Sequence, residues 1–289
     1  MKIKVYILNA FAKSTKGGNP AGVVLEANQL SNKQMQKIAN KINLPETTFI
    51  QKSNKADFKL KFFTPNCEVD LCGHATIASF SLMAKLGLLK PGKYTQETKA
   101  GILDIEIKPT GVIFMNQNIP QFLKKINKQK IVDALNISMD TIVPDLPVEI
   151  VSTGLPTIIV PIVSLDKLIK IKPSLKKCIK LCKNKFLLHL LTLETGKKNQ
   201  IAYSRNLFPI KTMDEEAATG TASGALACYL HNHNKINKKQ IKQMIFKQGH
   251  SMGSPSKILV RLKVEKEKII ETKVGGSTSN IKQKIIEIN

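Results

Sequence analysis

No stretch of this chain reaches the roughly 18 uninterrupted apolar residues that a membrane-spanning helix requires. The richest apolar segment, PTIIVPIV, is broken by Pro156 and Pro161, so a soluble protein with no membrane partner is expected. Arginine is nearly missing: Arg205 and Arg261 are the only two, although Lys and Arg together number 45 against 21 acidic residues and the formal net charge is +24. Such a charge would suit nucleic acid, but phosphate and base recognition favours the bidentate guanidinium fork. The lysines instead spread along the chain and alternate with apolar residues, as in FKLKFF. Neither an aromatic stacking ladder nor a zinc-finger pattern accompanies them, and no nucleic-acid partner is expected. The five cysteines are an odd number, widely scattered, in a chain long enough to need no covalent staples, which implies reduced thiols. Cys178 and Cys182 share a helix face near His189 but lack a fourth ligand at metal-site spacing, so they read as structural. With only 13 prolines and 16 glycines against 42% hydrophobic residues, the chain has the apolar surface that a disordered one lacks. The opening MKIKVYILNAFAKS alternates lysine with apolar residues and is interrupted by Asn9. It reads as a first β-strand rather than a signal peptide, and the location is expected to be cytoplasmic.

What is present is a pattern written twice. GNPAGVVL, from Gly18, is answered by GLPTIIVP, from Gly154; CGHATIASFSLMAKLG, from Cys72, by TGTASGALACYLHNHN, from Thr219; and GILDIEIKP, from Gly101, by KILVRLKVE, from Lys257. Three pairs in one order imply two related domains in tandem. Within each, strands alternate with period two, as where Leu103, Ile105 and Ile107 point one way and Asp104, Glu106 and Lys108 the other. SNKQMQKIANKIN is an amphipathic helix. Ser31 and Gln34 form a capping box, Met35, Ile38, Ala39 and Ile42 make the stripe, and Asn43 and Pro45 end it. The helix that opens at His74 is apolar on all sides, and so is ASGALACYL. A helix of that kind must be buried all round. An α/β fold of two curved sheets, each rolled around a central helix, satisfies both patterns.

The first turn of a helix leaves backbone N–H groups without intrahelical partners, and with the helix dipole these favour an anion. Gly73 and Gly220 would permit close approach to two such ends. On the residues alone, however, they equally make tight turns into the core. Likewise Glu46 reads as a loop carboxylate after Pro45, and His74 as a residue capping a buried helix.

GNPAGVV, LPETTFI, FFTPNCEVDLCGHATIA, TGTASGALACYL and QGHSMGSPSKI resemble, in that order, the signatures of the phenazine-biosynthesis PhzF-like isomerase family, which shares the diaminopimelate-epimerase fold. The resemblance spans nearly the whole chain. It implies two pseudo-symmetric domains, 1–118 with a C-terminal strand from 273–289 and 119–272, with a site in the cleft between them. It also implies homodimers and proton transfer on a small carboxylate-bearing metabolite without a cofactor or metal. It places the proton carrier on Glu46, with a pKa raised toward working pH by partial desolvation. His74 becomes the active-site histidine, Glu216 a further catalytic carboxylate that positions or polarises the substrate, and Asn19, Gly73, Gly220 and Thr221 the substrate-binding set. Where the family usually reads EDPVTGSA this chain has EEAATGTA from Glu215, keeping a carboxylate and a hydroxyl in kind while changing their reach.

Two rivals stay open. A two-thiol epimerase or racemase needs a cysteine before each glycine-led helix. Cys72 fits the first position but Thr219 stands at the second, and a threonine hydroxyl does not exchange protons as a thiol does. Cys72 then reads as packing. A non-catalytic protein that uses the same fold to bind a small acid or act as a scaffold is the other, and the altered EEAA segment favours it.

Overall fold

The computed structural model describes residues 1–13, 17–183, 185–196, 199–279 and 281–288; Asn280 and Asn289, within the expected C-terminal strand segment, lie outside them. The fold is mixed α/β, and the chain divides into two compact units, Met1–Asn116 with Gly275–Asn289, and Gln117–Val274.

The first unit contains β1 (Lys2–Ala10), β2 (Asn19–Val24), α1 (Asn32–Ile42), β3 (Glu46–Gln51), β4 (Phe58–Phe63), β5 (Glu68–Val69), α2 (Gly73–Lys85), β6 (Gly92–Thr98), β7 (Gly101–Ile107), β8 (Ile113–Gln117) and the chain's last strand, β18 (Lys282–Glu287). The sheet runs β18, β1, β2, β3, β4, β6, β7, β8, with β5 paired beside β4. Its two parallel steps, β2 to β3 and β4 to β6, each need a long crossover, and these crossovers carry α1 and α2. In α1 the Ser31 and Gln34 capping box is formed, Met35, Ile38, Ala39 and Ile42 are buried, and Asn43 takes a left-handed conformation that stops the helix. Every residue of α2 from His74 to Met83 is buried. Because α2 touches β1, β2 and β3 as well as β7, strands well apart in the order reach the same helix and the sheet curves round it. At ~1.5–3 kcal/mol for each large apolar side chain withdrawn from water, residues such as Ile77, Phe80 and Leu82 fix the helix in place.

The second unit holds β9 (Gln121–Ile126), α3 (Lys128–Leu135), β10 (Val148–Ser152), β11 (Thr157–Pro161), α4 (Leu165–Lys170), α5 (Leu175–Cys182), β12 (Leu187–Thr192), β13 (Ala202–Pro209), β14 (Met213–Glu216), α6 (Gly220–Asn232), β15 (Met244–Gln248), β16 (Ser256–Glu265) and β17 (Lys268–Gly276). The order is β9, β10, β11, β12, β13, β15, β16, with β14 paired beside β13. Again two steps are parallel, β11 to β12 and β13 to β15. The second is bridged by α6, buried from Ala222 to Leu230 and in contact with β10, β11 and β16. On the other face of the sheet α3, α4 and α5 cover an apolar cluster that includes Leu188, Leu190, Leu207, Cys178 and Cys182. Burial pushes those two thiols up to about 11 and about 12, so they pack as small apolar groups.

Candidate active site

In the first unit three elements deliver side chains to one point. Asn43 ends α1, Pro45 turns the chain, and Glu46 opens β3 with its backbone in register with Ala21 of β2. Asn19 opens β2. It is aimed by Gly18, whose φ of +81° and close approach to the Ala10 carbonyl, 2.6 Å from where a Cβ would sit, leave no room for a side chain. The first turn of α2 brings Gly73 and His74, with Cys72 as its N-cap. His74 is buried, with Nε2 3.1 Å from Glu46 Oε2 and Nδ1 3.3 Å from Asn19 Nδ2 and 3.4 Å from Cys72 Sγ. Donor atoms of Glu46, Cys72 and His74 lie within 4.8 Å of one another. A divalent ion would fit that set chemically, but the carboxylate already has a counter-charge in the imidazole.

Burial opposes ionisation of all three groups, and their mutual charges decide the outcome. Against desolvation, the attraction of His74 holds the Glu46 carboxyl below its ordinary range. His74 is also desolvated, yet its negative neighbours raise it well above an ordinary histidine. Burial and then the charge of Glu46 push the Cys72 thiol up. A thiol raised in this way stays protonated near neutral pH, so Glu46 is the neighbour that keeps His74 cationic. The resting cluster is therefore a carboxylate and imidazolium beside a neutral thiol. This corrects the expectation of a raised carboxyl at Glu46: desolvation is present, and the paired charge outweighs it. Glu46 Oε2 is shielded from water and, although close to the imidazole, has no hydrogen bond of good geometry among the described residues.

The second unit builds a different cluster at the start of α6. Glu215 and Glu216 are consecutive on β14, and strand alternation sends them to opposite faces. Glu215 accepts from Nε and Nη2 of Arg205, at 3.1 and 2.8 Å, while Nη1 of Arg205 donates to the carbonyls of Leu168 and Ile171. Glu216 faces the other way, and its Oε2 accepts from the Thr219 hydroxyl and from Asn206 Nδ2. Gln248 completes the arrangement: its Nε2 donates to the Glu216 carbonyl at 2.7 Å and to Thr219 Oγ1 at 3.0 Å, and its Oε1 accepts from the Thr219 amide at 3.1 Å. Gly249 holds Gln248 in place, with φ +78° and the carbonyls of Ser254 and Ala217 packed where a Cβ would be. Gly220 is the first residue of α6, and the carbonyl of Thr221 accepts from Thr153 Oγ1.

Glu46, His74, Asn19 and Gly73 thus come together in one cluster, and Glu216, Gly220 and Thr221 at the start of α6 in the other. In both, the helix N-cap side chain makes no capping bond. Cys72 turns to His74 and Thr219 to Glu216. The sequence reading missed Cys72 as a partner of the histidine, and it missed Asn206 and Gln248 altogether. Gln248 begins the QGHSMGSPSKI stretch and was within reach, whereas Asn206 carries no motif and is found only through strand register.

A model of the PhzC-PhzF family, phenazine biosynthesis-like proteins, matches residues 8–283. The uncharacterized isomerase YfhB of Bacillus subtilis is 37% identical over 261 residues, covering 88% of each chain. The trans-2,3-dihydro-3-hydroxyanthranilate isomerase of Pseudomonas fluorescens is 29% identical over 285 residues, 94% of each chain. Among solved structures, the PhzF-family phenazine biosynthesis protein of Bacillus anthracis superposes with a TM-score of 0.88 at 31% identity over the full length of both chains.

Proposed function

Since the chain belongs to the PhzC-PhzF family of phenazine biosynthesis-like proteins, we propose that it is an isomerase that moves a proton between carbons of a small carboxylate-bearing metabolite, with side chains alone as proton carriers. Glu46 is the base. Its ionised carboxylate takes a proton from a carbon made acidic by conjugation to the substrate carboxyl group. As it does so it loses its charge, and the cation on His74, until then neutralised by Glu46, becomes available to the negative charge developing on the substrate. The Glu46 carboxylic acid then returns the proton at the second carbon. Asn19 stands beside the imidazole, the Nδ1–H of the cation points toward Cys72 Sγ, and the Gly73 backbone contributes donor groups at the start of α2. Glu216 is assigned to positioning and polarising the substrate for proton transfer, and Gly220 and Thr221 to holding it. The relative from Pseudomonas fluorescens is named for a cyclic dienoic amino acid that bears a carboxyl group, which makes compounds of that class reasonable first candidates.

The observation that carries this reading is the placement of Glu46 Oε2: buried, 3.1 Å from His74 Nε2, and without a well-formed hydrogen bond among the described residues. A base with an uncommitted lone pair and a positioned counter-charge is what carbon deprotonation needs. The test is a screen of small amino, hydroxy and cyclic dienoic acids in deuterated water, with NMR detection of new C–D bonds. On a substrate that the wild type turns over, Glu46→Gln is expected to lower turnover by at least ~10²-fold with binding little changed, and Cys72→Ala to cost less than about tenfold. The reverse order of losses would favour the thiol racemase, and binding without isotope incorporation would favour a binding protein.

A further inference from the structure

We propose that His189 is a positioning residue that acts through Asn206 to hold the Glu216 carboxylate. The three stand abreast on consecutive strands, His189 on β12 opposite Asn206 on β13, and Asn206 opposite Glu216 on β14. Leu188, Leu190 and Leu207 belong to the apolar cluster under α3, α4 and α5, so by alternation the row of three lies on the sheet's other face. His189 Nδ1 is 3.1 Å from Asn206 Oδ1, and Asn206 Nδ2 donates to Glu216 Oε2 at 3.3 Å.

The order of donors determines the tautomer. An ionised carboxylate only accepts, so the Asn206 amide must turn its NH2 to Glu216 and its oxygen to His189. The imidazole must then donate from Nδ1. This leaves Nε2 as a bare lone pair, buried, with no partner among the described residues. A leucine there would avoid that unsatisfied atom. What the histidine supplies in its place is the Nδ1–H that orients the amide. Burial, only partly opposed by the Asn206 bond, lowers the imidazole pKa to about 4, so the ring is a neutral donor at physiological pH. On the flanking strands Arg205 and Glu215 neutralise each other on the opposite face, and Glu216 is the charged end of the row.

The consequence for turnover rests on the assignment of Glu216 to substrate handling; the bond order does not. Nitrogen-15 NMR of the full-length protein at neutral pH reads the bond order without substrate. The expected signature is His189 neutral and protonated at Nδ1, and an Nε2–H ring or a cation would overturn the proposal. His189→Asn keeps an amide donor near the Nδ1 position, whereas His189→Leu removes it. Exchange of the Asn206 side-chain amide hydrogens is expected to be at least about tenfold faster in His189→Leu and close to wild type in His189→Asn; equal protection in all three proteins would refute the relay. On a substrate of the wild type, His189→Leu should lower kcat about tenfold or more while leaving KM within about threefold, and His189→Asn should restore most of the rate. Equal losses in both variants would mean that the histidine only packs. If Glu46→Gln leaves isotope incorporation untouched while the tautomer and exchange results hold, the isomerase reading fails and the relay stands.

Discussion

At Glu46 and His74 the structure replaces a carboxyl tuned upward with an ion pair, and this carries a signature in stability. Glu46 is held below its unfolded value of 4.5, so its contribution is present above that pH and is lost as pH falls through the folded pKa. His74 is raised above its unfolded value of 6.5, so its contribution is complete below that pH and is lost as pH rises through the folded pKa. Both are complete together between pH 4.5 and 6.5, and each falls away gradually beyond it. Urea denaturation across pH should therefore find the stability gap between wild type and Glu46→Gln widest in that window, narrowing toward acid and toward alkali. A gap that is flat with pH would argue against the pair. That Glu46 faces an imidazole was not legible in the sequence. The glutamate opens a strand, the histidine opens a helix 28 residues later, and only the folded sheet brings them together. The family resemblance pointed to both residues but carried no information on which charge would win.

Elements were easier to read than partners. The capping box and stripe of α1, the period-two strands, and the all-round apolar character of α2 and α6 are local properties, and the structure forms each of them. Which polar residue meets which is not local, because a one-residue slip in register moves every side chain to the other face. Glu215 and Glu216 show this. Adjacent in sequence, they fall to a structural clamp with Arg205 and to the opposite face beside Asn206 respectively, and only the pairing of β13 with β14 separates them. Arg205→Leu leaves Glu215 a nearly buried, unpaired carboxylate, and loss of one partner of such a pair costs ~3–5 kcal/mol. Thermal or urea unfolding should show that loss. Glu216→Gln keeps an acceptor for Thr219 and Asn206 and should lose much less stability than Arg205→Leu.

Over the whole molecule the net charge of +24 remains to be accounted for. A charge of that size and sign sets up a positive field around the protein. Such a field raises the encounter rate of anions and is screened by salt. For a carboxylate substrate, kcat/KM should fall as ionic strength is raised while kcat itself changes little; steady-state kinetics at several salt concentrations would show it, and insensitivity to salt would mean that encounter does not limit the reaction. The duplicated motifs were legible because each unit repeats one order of strand, crossover and buried helix. What the repetition concealed is that the two helix starts do unlike things, one joining a carboxylate to an imidazole and the other joining a carboxylate to a hydroxyl and one amide.

Neither Cys72 nor Thr219 caps the helix it precedes, and a good N-cap is worth ~0.5–2 kcal/mol. Both positions would therefore be attractive to anyone engineering a hardier protein, since an aspartate or serine there would offer the first-turn backbone N–H groups a stronger acceptor. At Cys72 an aspartate would set a second negative charge beside Glu46 and compete for its imidazole. At Thr219 a residue that turned inward to the helix would release the Glu216 carboxylate from its hydroxyl donor. Thermostability gained at either helix start would be drawn from the clusters these two side chains now serve, so a library selected only for heat resistance should drift toward inactive sequences at these two codons first.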